Sequence, residues 1–326
     1  MNLLLYTSPK KSRLLISFLA ATIVIFAYAC GRDSDTVVVD FSKTVSIERP
    51  EAAAPEYPVL RVAVGAMTSP KETSIYYRQL LDYISRKLGR EVRLVQRKTY
   101  EEINQLLGRG QIDVAFICSG PYASGREKYG FEPLGTPVVQ GSHFYRSYLI
   151  VNKDSGFYSL EDLRGHMFAF TDPESNTGKL VPTYWTLQLG ESPETFFRKT
   201  IYTYSHDNSI MAVARALVDG AAVDGLIWEY YHQENPTFTS ATRIIRKSED
   251  YGIPPAVASK YLEPEVRERI RQLLFSMHLE PEGQKILGLL MIDRFTTTEE
   301  AWYKPIRDMR RTMALMENQV HVVTKP

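Results

Sequence analysis

The segment Thr171-Asp172-Pro173-Glu174-Ser175-Asn176-Thr177-Gly178-Lys179 gathers small polar groups that carry no full charge at its centre. Ser175 and Thr177 bring hydroxyls and Asn176 an amide, all able to donate hydrogen bonds. The run stands between a strand-like and a helix-like stretch, at the carboxyl end of the strand, where open α/β sheets place ligands. A helix start offers unpaired N–H groups and the positive end of the helix dipole, so the segment suits a small anion. The same residue types suit plain helix capping, and spacing alone divides the two readings evenly. The run lacks G-x-x-x-x-G-K-[ST] spacing and is not a P-loop.

Cys118 is the second residue with chemistry to offer. It closes an apolar run, Ile112 to Cys118, just before Ser119-Gly120-Pro121. The chain has only 2 cysteines, and the other, Cys30, falls in a lipidation motif, which leaves Cys118 without an intramolecular disulfide partner. A free cysteine of this kind is either a small buried hydrophobe or a thiol at the mouth of a cleft, suited to a soft ligand. A catalytic cysteine needs a His/Asn or His/Asp partner, and spacing supplies none. The histidines, His143, His166, His206, His232, His278 and His321, show no zinc-type spacing. No nucleophile elbow or acid/base carboxylate pair stands out either. The residues therefore point to binding without metal or cofactor, not to an enzyme.

The elements that must position these groups are legible. Val59 to Gly65 is a β-branched run closed by glycine, and Tyr77, Leu80, Leu81, Ile84 and Leu88 recur at helical spacing until Gly89. Val92–Val95 is a second strand, Tyr100 to Leu107 a second helix, and Ile112–Cys118 a third strand, apolar enough to be buried on both faces. Strand, helix, strand, helix, strand is the doubly wound order. A second winding follows: strands at Tyr148–Asn152, Met167–Thr171, Lys199–Tyr204 and Val223–Trp228, with helices at Thr183–Leu189 and Ser209–Leu217. A strand at Ile244-Ile245 and an amphipathic helix over Glu263–His278 complete the pattern. The expected fold is α/β with two lobes, each a doubly wound mixed sheet with helices on both faces. The chain crosses between them near Tyr148–Asn152 and Ser248–Ala258, and the ligand sits in the interlobe cleft.

The ends carry different information. Lys10, Lys11 and Arg13 flank the apolar run Leu14–Ala27, too short for a membrane span and followed by Ala27-Tyr28-Ala29-Cys30-Gly31. That reads as a signal peptide over 1–29 whose lipobox makes Cys30 the residue to be acylated, with Ala27 in place of the usual Leu. Residues 30–57 are rich in Asp, Ser, Thr, Glu, Ala and Pro and read as a flexible tether. The first lobe is expected over 58–149 and 257–315, the second over 150–256, and a tail over 316–326. The net charge of +1, without a Lys/Arg stripe, argues against a nucleic-acid partner.

With these pieces in order, the Ser175-Asn176-Thr177-Gly178 segment resembles the Ser-Thr-Ser-Gly anion loop of the phosphonate-binding family, the substrate-binding components of phosphate, phosphite and phosphonate ABC transporters. The resemblance extends to Tyr100 and its helix, Asp113-Val114-Ala115-Phe116, Gly120-Pro121-Tyr122, Leu149 to Ser155, Ser159 to Gly165 and Ser205-His206-Asp207, over roughly Val59 to Met309. It implies a type II-like periplasmic binding fold on the extracytoplasmic face that closes by hinge motion on a small oxyanion and hands it to a membrane permease. It also implies that Ser175, Asn176, Thr177 and Gly178 hold the phosphoryl-type oxygens while Tyr100 and His206 close on the ligand. His206 would donate a hydrogen bond or, charged, pair with the anion, unless it is a structural histidine beside Asp207. Tyr122 presents a hydroxyl to the cleft or simply packs, and Asp224 supports the cleft or pairs with a loop.

Three departures bear on the ligand. Asn176 stands where the family has a hydroxyl. Tyr231 and Pro254 stand where family members that take aminophosphonates have carboxylates, and Glu229 lies nearby out of register. Cys118 with the Ser-Asn-Thr-Gly loop is similar to arsenite-sensing relatives that report to a membrane histidine kinase, which gives a sensor as the alternative to the importer.

Overall fold

The computed structural model describes residues 58–65 and 67–323. The expected signal peptide, the expected acylation at Cys30 and the expected tether lie outside the described residues.

The first sheet starts from β1 (Leu60–Val64), whose side chains are buried except at Arg61, which turns out to pair with Asp113 at 2.7 Å. α1 (Pro70–Leu88) follows and stops where Gly89 takes a left-handed φ of 66°, the conformation a glycine adopts without strain. Next come β2 (Val92–Val95), α2 (Tyr100–Gly108), β3 (Val114–Phe116), α3 (Ser119–Tyr129) and β4 (Glu132–Val138). Thr99 starts α2 through a capping box with Glu102. The expected strand Ile112–Cys118 is shorter than its apolar run: Asp113 turns to Arg61, and Cys118 is already the N-cap of α3.

The second sheet holds β6 (Ser147–Asn152), β7 (Met167–Phe170), β8 (Lys199–Tyr202), β9 (Gly220–Asp224) and β10 (Thr242–Lys247), the last with a bulge between Ile244 and Arg246. Its helices are α4 (Val181–Gln188), α5 (His206–Ala214) and α6 (Gly225–Glu234). The helix expected over Ser209–Leu217 therefore begins and ends three residues earlier. Ser205 caps it by accepting from the Asn208 N–H, and Ala216 stands at a φ of 53°, beyond its end. The chain returns through β12 (Ala256–Ala258), α7 (Pro264–Ser276), α8 (Pro281–Leu289), β13 (Arg294–Thr296) and α9 (Lys304–Val323), the last running into the stretch expected as a tail.

Strand order is β13-β4-β12-β3-β1-β2 in one sheet and β10-β6-β9-β7-β8 in the other. In each, three strands run parallel: β1 between β2 and β3, and β7 between β8 and β9. Antiparallel strands complete both sheets, as expected of two lobes joined by a double crossing. The crossings occupy 139–146 and 248–255, where β5 (Phe144–Tyr145) and β11 (Tyr251–Gly252) pair antiparallel. The first therefore lies upstream of Tyr148–Asn152, because Leu149-Ile150-Val151 is buried on both faces and belongs inside the sheet. One apolar core runs from Ala63 and Ile117 through Tyr145, Tyr251 and Ile253 to Phe168 and Ala222, so the lobes share a buried seam.

Candidate functional site

Every group singled out in the loops sits at the carboxyl end of a parallel strand: Gly65 and Met67 after β1, Tyr100 after β2, Cys118 after β3, the Thr171–Gly178 loop after β7, His206 after β8 and Asp224 at the end of β9. Each three-strand parallel unit has its middle strand earliest in the chain, so the loops diverge from β1 in one lobe and β7 in the other. Such divergence opens a crevice at the strand ends. Here two crevices face each other and are drawn together by hydrogen bonds across the cleft. The His206 N–H donates to the Met67 carbonyl at 2.9 Å, the Ser69 N–H to Asp207 at 2.9 Å and the Tyr100 N–H to Asp172 at 3.1 Å. Asp207 and Asp172 thus cap the N-termini of α1 and α2 from the opposite lobe.

The Thr171–Gly178 loop divides the capping and binding readings between its members. Ser175 is a cap: its hydroxyl accepts from the Gly178 N–H at 3.0 Å. Gly178 spends its carbonyl on the Thr171 N–H at 3.1 Å, so both its backbone groups are used inside the loop. A Cβ there would lie 2.3 Å from the Thr171 hydroxyl, which explains the glycine by packing and leaves it no group to offer a ligand. Asn176 and Thr177 behave otherwise. Both are fully buried at the start of a π-helical turn (Asn176–Leu180), yet Asn176 Oδ1 and Thr177 Oγ1 have no hydrogen-bond partner among the described residues.

Among the other buried atoms that share that condition are the Tyr100 hydroxyl and His206 Nε2. Tyr100 packs on Cys118 and Met67, and the Met67 carbonyl accepts from the His206 backbone N–H, so Met67 contacts both residues. The histidine's state follows from its surroundings. Its Nδ1 accepts the Asp224 backbone N–H at 3.0 Å, which leaves the proton on Nε2. Burial lowers its pKa to about 3. His206 is therefore a neutral N–H donor, and the expectation of a charged partner for the anion does not hold.

Asp224 caps α6 through the Leu226 and Ile227 N–H groups, at 2.8 and 3.3 Å, and burial pushes its carboxyl up to about 7. Asp172, beneath Tyr100, is raised to about 6 by burial, against the pull of two N–H donors. Burial likewise raises the Cys118 thiol to about 11, while the Asn176 and Gly120 N–H groups directed at the sulfur pull the other way. Tyr145 ties hinge to both lobes: its hydroxyl meets Ser119 Oγ and accepts from Asn176 Nδ2 at 3.3 Å. The lobes meet tightly over Gly120, where a Cβ would come within 2.5 Å of the Glu174 carbonyl oxygen and 2.9 Å of the Asn176 nitrogen.

The neighbourhood of these atoms is rich in neutral donors and free of metal-binding clusters: among the described residues no three His, Cys, Asp or Glu side chains stand where they could share an ion. The model of the family described as "ABC transporter, phosphonate, periplasmic substrate-binding protein" matches residues 62–303. The chain belongs to that family. It is a family of binding proteins, not of enzymes, and works outside the cytoplasm. The phosphonates-binding periplasmic protein of Escherichia coli is 24% identical over 265 residues, 80% of this chain and 78% of the relative. A phosphate-import protein of Mycolicibacterium smegmatis is 24% identical over 304 residues, 88% of this chain and 89% of its own. Among solved structures, a binding component of a Pseudomonas aeruginosa ABC phosphonate transporter superposes with a TM-score of 0.76 at 24% identity, covering 81% of this chain and 89% of that one. A Prochlorococcus marinus protein solved with methylphosphonate gives 0.68 at 21% identity, covering 78% and 98%.

Within that family fold, one expected site residue lies elsewhere. Tyr122 is fully buried on α3, its ring edge-on to Tyr303 at 4.5 Å and its hydroxyl on Glu300, so it braces α3 against the short turn Glu300–Tyr303 that leads into α9 and does not face the cleft. Glu229, set aside as out of register, lines the cleft and accepts from the Tyr148 hydroxyl at 3.0 Å; Pro254 lines it too, whereas Tyr231 faces a different cavity. Asp172 and Asp207 read in the sequence only as a member of the loop and as a neighbour of His206, not as caps on the other lobe's helices, and Tyr145 goes unnoticed there.

Proposed function

We propose that the closed cleft captures a small phosphorus oxyanion for the membrane permease of an ABC importer, with the protein held to the membrane by an acylated Cys30. The observation that carries this reading is the set of buried polar atoms without partners among the described residues at the strand ends: the Tyr100 hydroxyl, Thr177 Oγ1 and His206 Nε2, beside Asn176, whose Oδ1 is unpaired while its Nδ2 donates to Tyr145. A buried donor without a partner costs about 1–3 kcal/mol, so a structure gathers several of them in one place only where something else completes them. An oxyanion accepts from two hydroxyls and one imidazole N–H at once, and the Asn176 carboxamide offers its two N–H groups by turning over. Neutral donors suffice because a closed, dry site strengthens each bond.

Calorimetric titration of the full chain with phosphate, phosphite, methylphosphonate and arsenite tests this, in the native protein and in Thr177→Val and Cys118→Ser. Binding of a phosphorus oxyanion that Thr177→Val weakens by about tenfold or more, and that Cys118→Ser leaves unchanged, supports capture for import. Heat from arsenite alone, lost in Cys118→Ser, would replace the importer with a thiol-based sensor.

A further inference from the structure

The cleft holds more room than a bare oxyanion uses. A cavity of about 230 Å³ opens from Gly65, Tyr77 and Asp224 toward the solvent, and the Ser175–Gly178 loop is not part of its lining. Its inner end is walled by two residues, Gly65 and Asp224, that in turn contact the anion-facing groups. The Tyr100 ring lies against Gly65, within 3.6 Å of where a Cβ would stand, and Asp224 holds His206 through its backbone N–H. Beyond that end the walls are mainly hydrocarbon, from Val64, Val139, Leu226, Ile227, Ile253 and Leu289. Glu229 is the fixed carboxylate on the wall, engaged by the Tyr148 hydroxyl.

A cavity of about 150 Å³ with apolar walls is enough to admit benzene. Phosphate or phosphite would leave this larger space to water. A carboxylated substituent would meet Glu229 and Asp224 and be repelled. We infer that the ligand is an organophosphonate with a mainly hydrocarbon substituent of about ring size that carries no negative charge, its phosphoryl oxygens on Tyr100, Thr177 and His206 and its substituent in this cavity. The inference rests on the oxyanion reading above and narrows it.

The test is calorimetric titration of the full chain with methylphosphonate, phenylphosphonate, 2-aminoethylphosphonate and phosphonoacetate. Each methylene equivalent taken out of water multiplies affinity by about fourfold. Phenylphosphonate is therefore expected to bind about tenfold or more tightly than methylphosphonate, even with part of the ring left at the open mouth, and phosphonoacetate to bind more weakly than either. Leu289→Trp fills the mouth from a side chain that is 40% exposed, so the fold tolerates it. It should remove the preference for phenylphosphonate and leave methylphosphonate within about twofold. Ile227→Trp, deeper in the wall, should do the same. Methylphosphonate or 2-aminoethylphosphonate binding as tightly as phenylphosphonate overturns the inference and leaves anion capture standing. Failure of all four to bind overturns both.

Discussion

Tyr100→Phe separates a binding role from a structural one at a single oxygen atom. The ring is 2% exposed and packs on Cys118 and Met67, and the residue's N–H is held by Asp172. Phenylalanine keeps all of these contacts and removes only the hydroxyl, which has no partner among the described residues. A hydrogen bond to a charged ligand contributes about 1.5–3 kcal/mol, so the variant should bind a phosphorus oxyanion about 10- to 150-fold more weakly. Its folding stability should move the other way or not at all, because a stranded buried hydroxyl costs about 1 kcal/mol or more and its removal relieves that cost. In a domain of this size that is a rise in Tm of about 2–4 °C. Calorimetry gives the affinity and thermal unfolding without ligand gives the stability. Affinity within about twofold of the native protein would refute the assignment of the hydroxyl to the ligand. A drop in Tm equal in free energy to the lost binding would show that the hydroxyl supports the fold instead.

Gly120→Ala should weaken ligand binding by about tenfold or more without lowering stability, since its methyl would meet the Glu174 carbonyl and the Asn176 nitrogen only when the lobes are shut; native affinity in this variant would mean that capture does not need closure at this seam. Asp224→Asn keeps the cap on α6. The folded Asp224 carboxyl titrates near 7 against about 4 when unfolded, so its contribution to stability is present at low pH and lost as pH rises from about 4 to about 7. The asparagine variant should therefore gain on the native protein across that window and hold its advantage above it, by about 1.4 kcal/mol for each unit that burial raises the pKa. Denaturant unfolding at several pH values checks it, and a difference that does not change with pH would contradict the buried-acid reading. His206, neutral down to about pH 3, adds no pH dependence to anion binding between pH 5 and 8, and a fall in affinity across that range that disappears in His206→Gln would contradict its neutral state.

The doubly wound order, the position of the Thr171–Gly178 loop and the two-lobe plan were legible because each rests on local pattern: β-branched runs, helical spacing and punctuation by glycine. What the sequence could not show depends on partners far along the chain. Tyr122 is turned from the cleft by Glu300, 178 residues away. The tautomer of His206 depends on a backbone N–H from β9, and the capping roles of Asp172 and Asp207 on helices in the other lobe. A carboxylate that caps a helix across a cleft has no short-range signature, unlike Thr99 and Glu102, which announce their capping box by spacing. The apolar run Ile112–Cys118 misled for a related reason: burial of Ile117 and Cys118 comes from the hinge and the loop, not from the ladder.

The sulfur of Cys118 is covered from two sides, by the Gly120 N–H of its own lobe and the Asn176 N–H of the other. Outside the cytoplasm an uncovered lone thiol is open to coupling with another chain or with small oxidants. Burial raises its pKa to about 11, so the thiol stays protonated at neutral pH, and the closed seam covers it as well. Any movement that parts Asn176 from Gly120 uncovers the sulfur, so the rate at which an alkylating reagent consumes it counts how often the two lobes come apart. The protein thus carries its own clock for opening, at the point where the lobes meet.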